Sequence, residues 1–104
     1  MTMKQCCEKY LAEQFGNDAD IMNEIYGEYV SSVKEKISDL KNALDASDWQ
    51  NADRIAHTVK GNALSAGDEE VAVAAIELRK AAALNNMERC RSLLDRIAEL
   101  SKGL

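Results

Sequence analysis

The sequence has no proline and one histidine, and its acidic residues outnumber its basic ones. Of its 104 residues, 13 are Lys or Arg and 18 are Asp or Glu, so the formal net charge is -5. This balance lacks the positive charge that attracts nucleic acids and anionic membrane surfaces. No apolar run approaches the roughly 20 residues needed to span a bilayer, and no basic-then-apolar signal peptide opens the chain. We therefore expect a cytoplasmic protein with neither nucleic-acid nor membrane partners.

The cysteines are also few, and they form no CxxC pair. With a single histidine they supply few ligands for a conventional zinc site. Adjacent Cys6 and Cys7 rarely bridge each other, and Cys90 is expected in the core because a free cysteine behaves as a small hydrophobe. The chain has no glycine-rich phosphate loop and is too short for an ATP-binding kinase domain. We expect no bound cofactor, no metal and no kinase activity of its own.

The spacing of apolar residues predicts five helices and no strand. High alanine content, the absence of proline and repeated steps of three and four residues are typical of helices. The predicted helices cover about residues 4–15, 20–46, 49–64, 69–84 and 87–100. Asp18 or Asp20 can cap the second helix, and Gly67 can end the third. The sequence predicts an all-α, antiparallel up-and-down four-helix bundle with a short additional N-terminal helix.

The single histidine lies on the third predicted helix. At about 100° per residue, the apolar positions Ala52, Ala56, Val59 and Ala63 gather within about 60° of one another and define the buried stripe. His57 lies about 125° from the centre of that stripe, so its ring is expected to face solvent. An exposed imidazole is free to titrate and react, although a lone surface histidine is most often an ordinary solvated side chain.

Two neighbours make His57 a candidate reactive group. Lys60 and Gly61 follow it at i+3 and i+4, the positions that adjoin it on a helix surface. A glycine inside a helix costs about 1 kcal/mol relative to alanine, so Gly61 requires an explanation. It clears space over the imidazole, or it marks a fraying helix end or a close helix contact. Lys60 could supply positive charge to a bound anion.

The segment around His57 resembles a known family. The run AHTVKG at residues 56–61, followed by Gly67, matches the pattern of the histidine-containing phosphotransfer (HPt) domain of two-component phosphorelays: H-x-x-K-G, a small residue before the histidine and a glycine ten residues after it. The preceding long helix, the turn at Ser47-Asp48 and the later helices also fit. The resemblance implies that residues 1–104 form one HPt-like domain. Met1 and the complete bundle favour a free-standing protein, and an excised domain of a hybrid kinase would have a similar sequence.

The resemblance also implies a function. His57 would accept a phosphoryl group from the aspartyl phosphate of a response-regulator receiver domain and pass it to another receiver. Lys60 would stabilise phosphate charge, and Gly61 would give steric clearance. Free imidazole titrates at about pH 6.5, so much of it is unprotonated near neutral pH. In the family Mg²⁺ belongs to the receiver. The expected partners are receiver domains and a hybrid sensor kinase, and we expect a monomer. The alternative is a non-catalytic helical module that binds a signalling partner.

Three further residues are possible contributors. Leu64 stands where many family members carry a smaller residue, and it either contacts a docking partner or packs beneath the first helix. Arg79 follows the predicted core residue Leu78 and is a second candidate cation at the level of His57, or else a solvated arginine without a role. Asp53, one turn before His57, would favour a protonated ring if the two side chains met.

Overall fold

A computed structural model describes residues 3–104, which form five α-helices and no strand. The helices are α1 (Gln5–Phe15), α2 (Ala19–Asp45), α3 (Trp49–Ala66), α4 (Glu69–Ala83) and α5 (Met87–Ser101). Helices α2 to α5 form a bundle in which each packs against two others, in the order α2, α3, α4, α5 and back to α2. Helix α1 packs against α2 and α3. The predicted all-α fold with an additional N-terminal helix is confirmed.

Short polar side chains begin four of the helices. Asp18, Asp48, Asp68 and Asn86 each accept a hydrogen bond from the backbone N–H three residues further on. Such a cap contributes about 1 kcal/mol to the stability of a helix. Of the two aspartates predicted to cap α2, the structure therefore selects Asp18.

Helix α3 ends later than predicted. It continues through Ala66, two residues beyond the predicted end at Leu64, and stops where Gly67 takes a left-handed conformation with φ 76°. Glycine adopts this conformation without the steric cost of a Cβ atom, so the glycine and not the preceding residues ends the helix. The extension places Gly61 five residues inside the helix, which excludes a fraying helix end as its explanation.

The predicted apolar stripes form the core. On α3 the four predicted positions are fully buried, and Ile55 and Ala66 join them. Cys90 is also fully buried, as expected. Ile37 of α2 lies four residues after the buried Val33 in the apolar pattern of that helix, but it is only partly buried and packs against the edge of the core. The buried faces of α3 and α4 are rich in alanine, and small side chains allow helix axes to approach closely.

Helix α1 is held at the α3–α4 turn by a buried carboxylate. Asp68 is fully buried, and its side chain accepts hydrogen bonds from Lys4 Nζ at 2.8 Å and from the Tyr29 hydroxyl at 2.7 Å. The Tyr26 hydroxyl accepts a bond of 3.0 Å from the backbone N–H of Lys4. Because a buried charge is costly unless it is paired, these bonds tie the start of α1 to the bundle.

The raised pKa values of Tyr29 and Cys7 in the same region leave both groups unreactive. Burial raises the pKa of Tyr29, and its hydrogen bond to Asp68 raises it further. Burial also raises the pKa of the Cys7 thiol to about 12. Cys7 and Leu11 are the fully buried side chains of α1, so Cys7 anchors this helix as a small hydrophobe.

Candidate functional site

His57 lies in the middle of α3 with its side chain exposed. The adjacent stripe residues Ala56 and Val59 are fully buried, which fixes the orientation of the helix and turns the imidazole outward. The predicted orientation of His57 is therefore confirmed. Among the described residues, its ring nitrogen Nε2 makes no hydrogen bond. The site is thus an imidazole presented from a rigid helix with one nitrogen open to an incoming group.

Arg79 of α4 contacts the other ring nitrogen. Its terminal nitrogen Nη1 lies 3.1 Å from His57 Nδ1, and its Nε donates to Asp53 Oδ1 at 2.9 Å. From the sequence, Arg79 is either a second candidate cation at the level of His57 or a solvated arginine without a role, and the structure brings its guanidinium to the imidazole. Asp53 faces the guanidinium, so its carboxylate pairs with Arg79 and not with the imidazole.

Lys60 is half-buried on the turn after His57, and among the described residues it forms no hydrogen bond or ion pair. Its ammonium group therefore has no competing partner within that part of the chain. Lysine is a flexible point charge with three donors, which suits contact with phosphate oxygens.

Gly61 faces open space. A Cβ atom built on it would meet nothing within 4 Å. Close packing against another helix, one of the three explanations for this glycine, is therefore excluded, and the position well inside α3 has already excluded a fraying end. The surface at Gly61 therefore has room for a group that approaches from outside.

Leu64 lies two turns after His57 on nearly the same face of α3. The residue is 50% exposed, so α1 covers it only in part. It lines a groove of about 350 Å³ between α1 and the end of α3, together with Tyr10, Lys9 and Glu13 of α1. The exposed surface of His57, Gly61 and Leu64 therefore continues onto α1.

The link between Arg79 and Asp53 was missed by sequence reasoning. Asp53 and His57 are four residues apart on α3 and share a face, and Arg79 borders the buried face of α4 next to Leu78. The shared face of Asp53 and His57 and the place of Arg79 at the edge of α4 are compatible with a contact among these three side chains. The register of α4 against α3, which decides whether they do, comes from alanine packing between the helices and has no local signal.

Over residues 3–104, no group of three or more His, Cys, Asp or Glu side chains is arranged to hold a metal ion. None of the described helices is long and apolar enough to cross a membrane.

Comparison with known proteins agrees with this geometry. Residues 24–103 match the family model described as the Hpt domain. The match covers more than half of the chain, so the chain belongs to the Hpt family, the phosphotransfer domains of two-component phosphorelays. No curated protein and no solved structure gives a significant match. Helix α1 precedes the matched segment, although it packs against it.

Proposed function

We propose that this protein relays a phosphoryl group between the aspartates of response-regulator receiver domains through a phosphohistidine at His57. The observation that carries the proposal is the exposed imidazole of His57, with Nε2 open, beside a half-buried Lys60 and the open space at Gly61. Family membership supplies the reaction class. His57 is the histidine to which we assign this reaction, because it is the only histidine in the sequence.

The chemistry requires little from this chain. The neutral His57 tautomer with its proton on Nδ1 attacks the phosphorus of an aspartyl phosphate through Nε2. The Nε2–P bond forms, the proton stays on Nδ1, and the P–O bond to aspartate breaks with its electron pair on the carboxylate. The reverse step passes the group to a second receiver. Phosphoryl transfer depends mainly on positioning and charge stabilisation. The Lys60 ammonium contributes charge at the phosphate oxygens, and Mg²⁺ is expected on the receiver.

The docking surface is proposed to centre on His57. Gly61 leaves room for the receiver's phosphorylated aspartate to reach the ring. Leu64 gives an apolar contact at the edge of this surface, since half of its side chain is open to solvent. Transient signalling contacts of this kind are modest in area and need no deep pocket.

The proposed partners, cellular location and oligomeric state follow from membership of the same family. The donors and acceptors are receiver domains, including one attached to a hybrid sensor kinase, and the protein is a cytoplasmic monomer that carries phosphate without kinase activity of its own. It binds no cofactor in this role.

Radiolabelled receiver domains test the proposal. Wild-type protein incubated with a phosphorylated receiver is expected to take up label that is stable to base and lost in acid, whereas His57→Gln takes up none. Label that persists in His57→Gln would contradict the assignment. If wild-type protein binds receivers and takes up no label, the chain is a non-catalytic interaction module.

A further inference from the structure

The contact between Arg79 and His57 restricts the ring's protonation. An arginine side chain is always a donor and never an acceptor. Because its Nη1 lies 3.1 Å from Nδ1, Nδ1 must present a lone pair in this arrangement. A proton on Nδ1 would face a cation and lose its hydrogen-bond partner.

The protonation of Nδ1 decides how easily a phosphoryl group leaves Nε2. When Nδ1 carries a proton, cleavage of the Nε2–P bond releases a neutral imidazole. When Nδ1 carries none, the same cleavage must release an imidazolate anion, which is a much poorer leaving group. Hydrolysis therefore proceeds from the protonated ring: water attacks phosphorus, the electron pair of the Nε2–P bond returns to Nε2, and inorganic phosphate departs.

We propose that Arg79, held in place by Asp53, keeps Nδ1 of phosphorylated His57 unprotonated and so protects the phosphohistidine from hydrolysis between partner encounters. This inference rests on the proposed phosphorylation of His57. Uptake and transfer of the group both need a proton on Nδ1, because a neutral ring whose Nδ1 accepts from Arg79 carries its proton on Nε2. A docked receiver must therefore displace Arg79 from the ring before the group moves in either direction. The contact then acts as a lock that partner binding opens.

Asp53 acts in this lock as a positioning residue. Its carboxylate binds Arg79 Nε at 2.9 Å, which leaves Nη1 directed at the ring. The two possible effects of Asp53 have opposite signs. As a bare negative charge it would favour ring protonation, whereas as the anchor of Arg79 it opposes ring protonation.

The other charged groups near His57 form no hydrogen bond with its ring among the described residues. On α3 these are Arg54 and Lys60, one turn before and after the histidine. On α2, Glu28 lines a groove beside Asn62 and Ser65, while Lys36 and Asp39 line a groove beside Arg54. Over the described residues, Arg79 is the charged side chain that is hydrogen-bonded to the imidazole.

The lifetime of the phosphohistidine directly measures how well the Arg79 contact protects it from hydrolysis. The protein is phosphorylated with phosphoramidate, the donor is removed, and loss of the N–P signal is followed by ³¹P NMR from about pH 6 to pH 9, where imidazole chemistry responds to pH. Arg79→Met is expected to lose its phosphoryl group about fivefold faster than wild type near neutral pH, because the net free energy of one ordinary hydrogen bond corresponds to about that factor. In phosphorylated Arg79→Met, the ¹⁵N shift of Nδ1 should titrate at higher pH than in phosphorylated wild-type protein.

Matched variants separate the lock from other effects. Asp53→Asn is expected to speed the loss, by a smaller factor than Arg79→Met, and Lys80→Met, which removes an exposed cation from the next position of α4, should match wild type. Slower loss in Asp53→Asn would overturn the proposal. So would an unchanged Nδ1 titration in Arg79→Met, or failure of phosphoramidate to modify wild-type His57. Because no receiver is present, a failure to exchange phosphate with receivers would refute the relay and leave this result standing.

Discussion

Gly61 offers a prediction in which stability and function change in opposite directions. It lies inside α3 and faces open space, so an added side chain meets nothing in the folded protein. Replacing a glycine by alanine in a helix interior gains about 1 kcal/mol, and glutamine gains roughly half of that. Gly61→Ala should therefore raise the free energy of unfolding by about 1 kcal/mol. For a domain of this size the melting temperature should rise by about 4 °C or more.

The same space is the proposed route of the receiver's phosphoaspartate. A glutamine at this position would have to be displaced on docking, and forcing extra methylene groups into a filled contact costs roughly 1–3 kcal/mol. Gly61→Gln should therefore slow phosphotransfer about tenfold or more, because 1.4 kcal/mol corresponds to a factor of ten. Gly61→Ala should show a smaller loss.

Urea unfolding followed by circular dichroism, paired with phosphotransfer at several receiver concentrations, makes the comparison. A Gly61→Ala protein that is less stable than wild type would show that the glycine has a role in packing. A Gly61→Gln protein that is stable and transfers phosphate at the wild-type rate would refute the clearance argument.

Three further predictions concern other parts of the chain. Lys60→Ala should slow transfer about tenfold by removing a charge-assisted bond of roughly 1.5–3 kcal/mol, and Lys80→Ala is the matched control in the same assay. Because burial raises the pKa of Cys7 to about 12, iodoacetamide near pH 8 should alkylate exposed Cys6 and spare Cys7 until the protein unfolds, as mass spectrometry of the peptides would show. Asp68→Ala should lower the free energy of unfolding by roughly 3–5 kcal/mol, because it leaves the buried Tyr29 hydroxyl and the partly buried Lys4 unpaired. A loss below about 1 kcal/mol would contradict the role of Asp68 in holding α1 on the bundle.

The helices and the reactive face were predictable because their signals are local. Apolar residues at steps of three and four define each buried stripe, and the orientation of His57 follows from its angle to that stripe on the same helix. Glycine at position 67 and aspartate at 68 mark a helix end and a helix start without reference to the rest of the chain. The early predicted end of α3 arose because Ser65 and Ala66 carry no strong signal for either state.

The contacts between distant segments were not predictable in the same way. Asp68 is recognisable in the sequence as a helix cap, but its partners Lys4 and Tyr29 lie 64 and 39 residues away. The bond from Arg79 to His57 also depends on how α4 is registered against α3. Such pairings arise when whole helices pack, so no single helix specifies them.

The central claim is that His57 carries a phosphoryl group received from a receiver aspartate. The most direct measurement is ³¹P NMR of the protein after incubation with a phosphorylated receiver domain and its Mg²⁺, with peptide mapping of the modified site. The account predicts an N–P signal in wild-type protein, located on His57, and no such signal in His57→Gln. A protein that binds the receiver and shows no N–P signal, or a signal that survives in His57→Gln, would contradict the account.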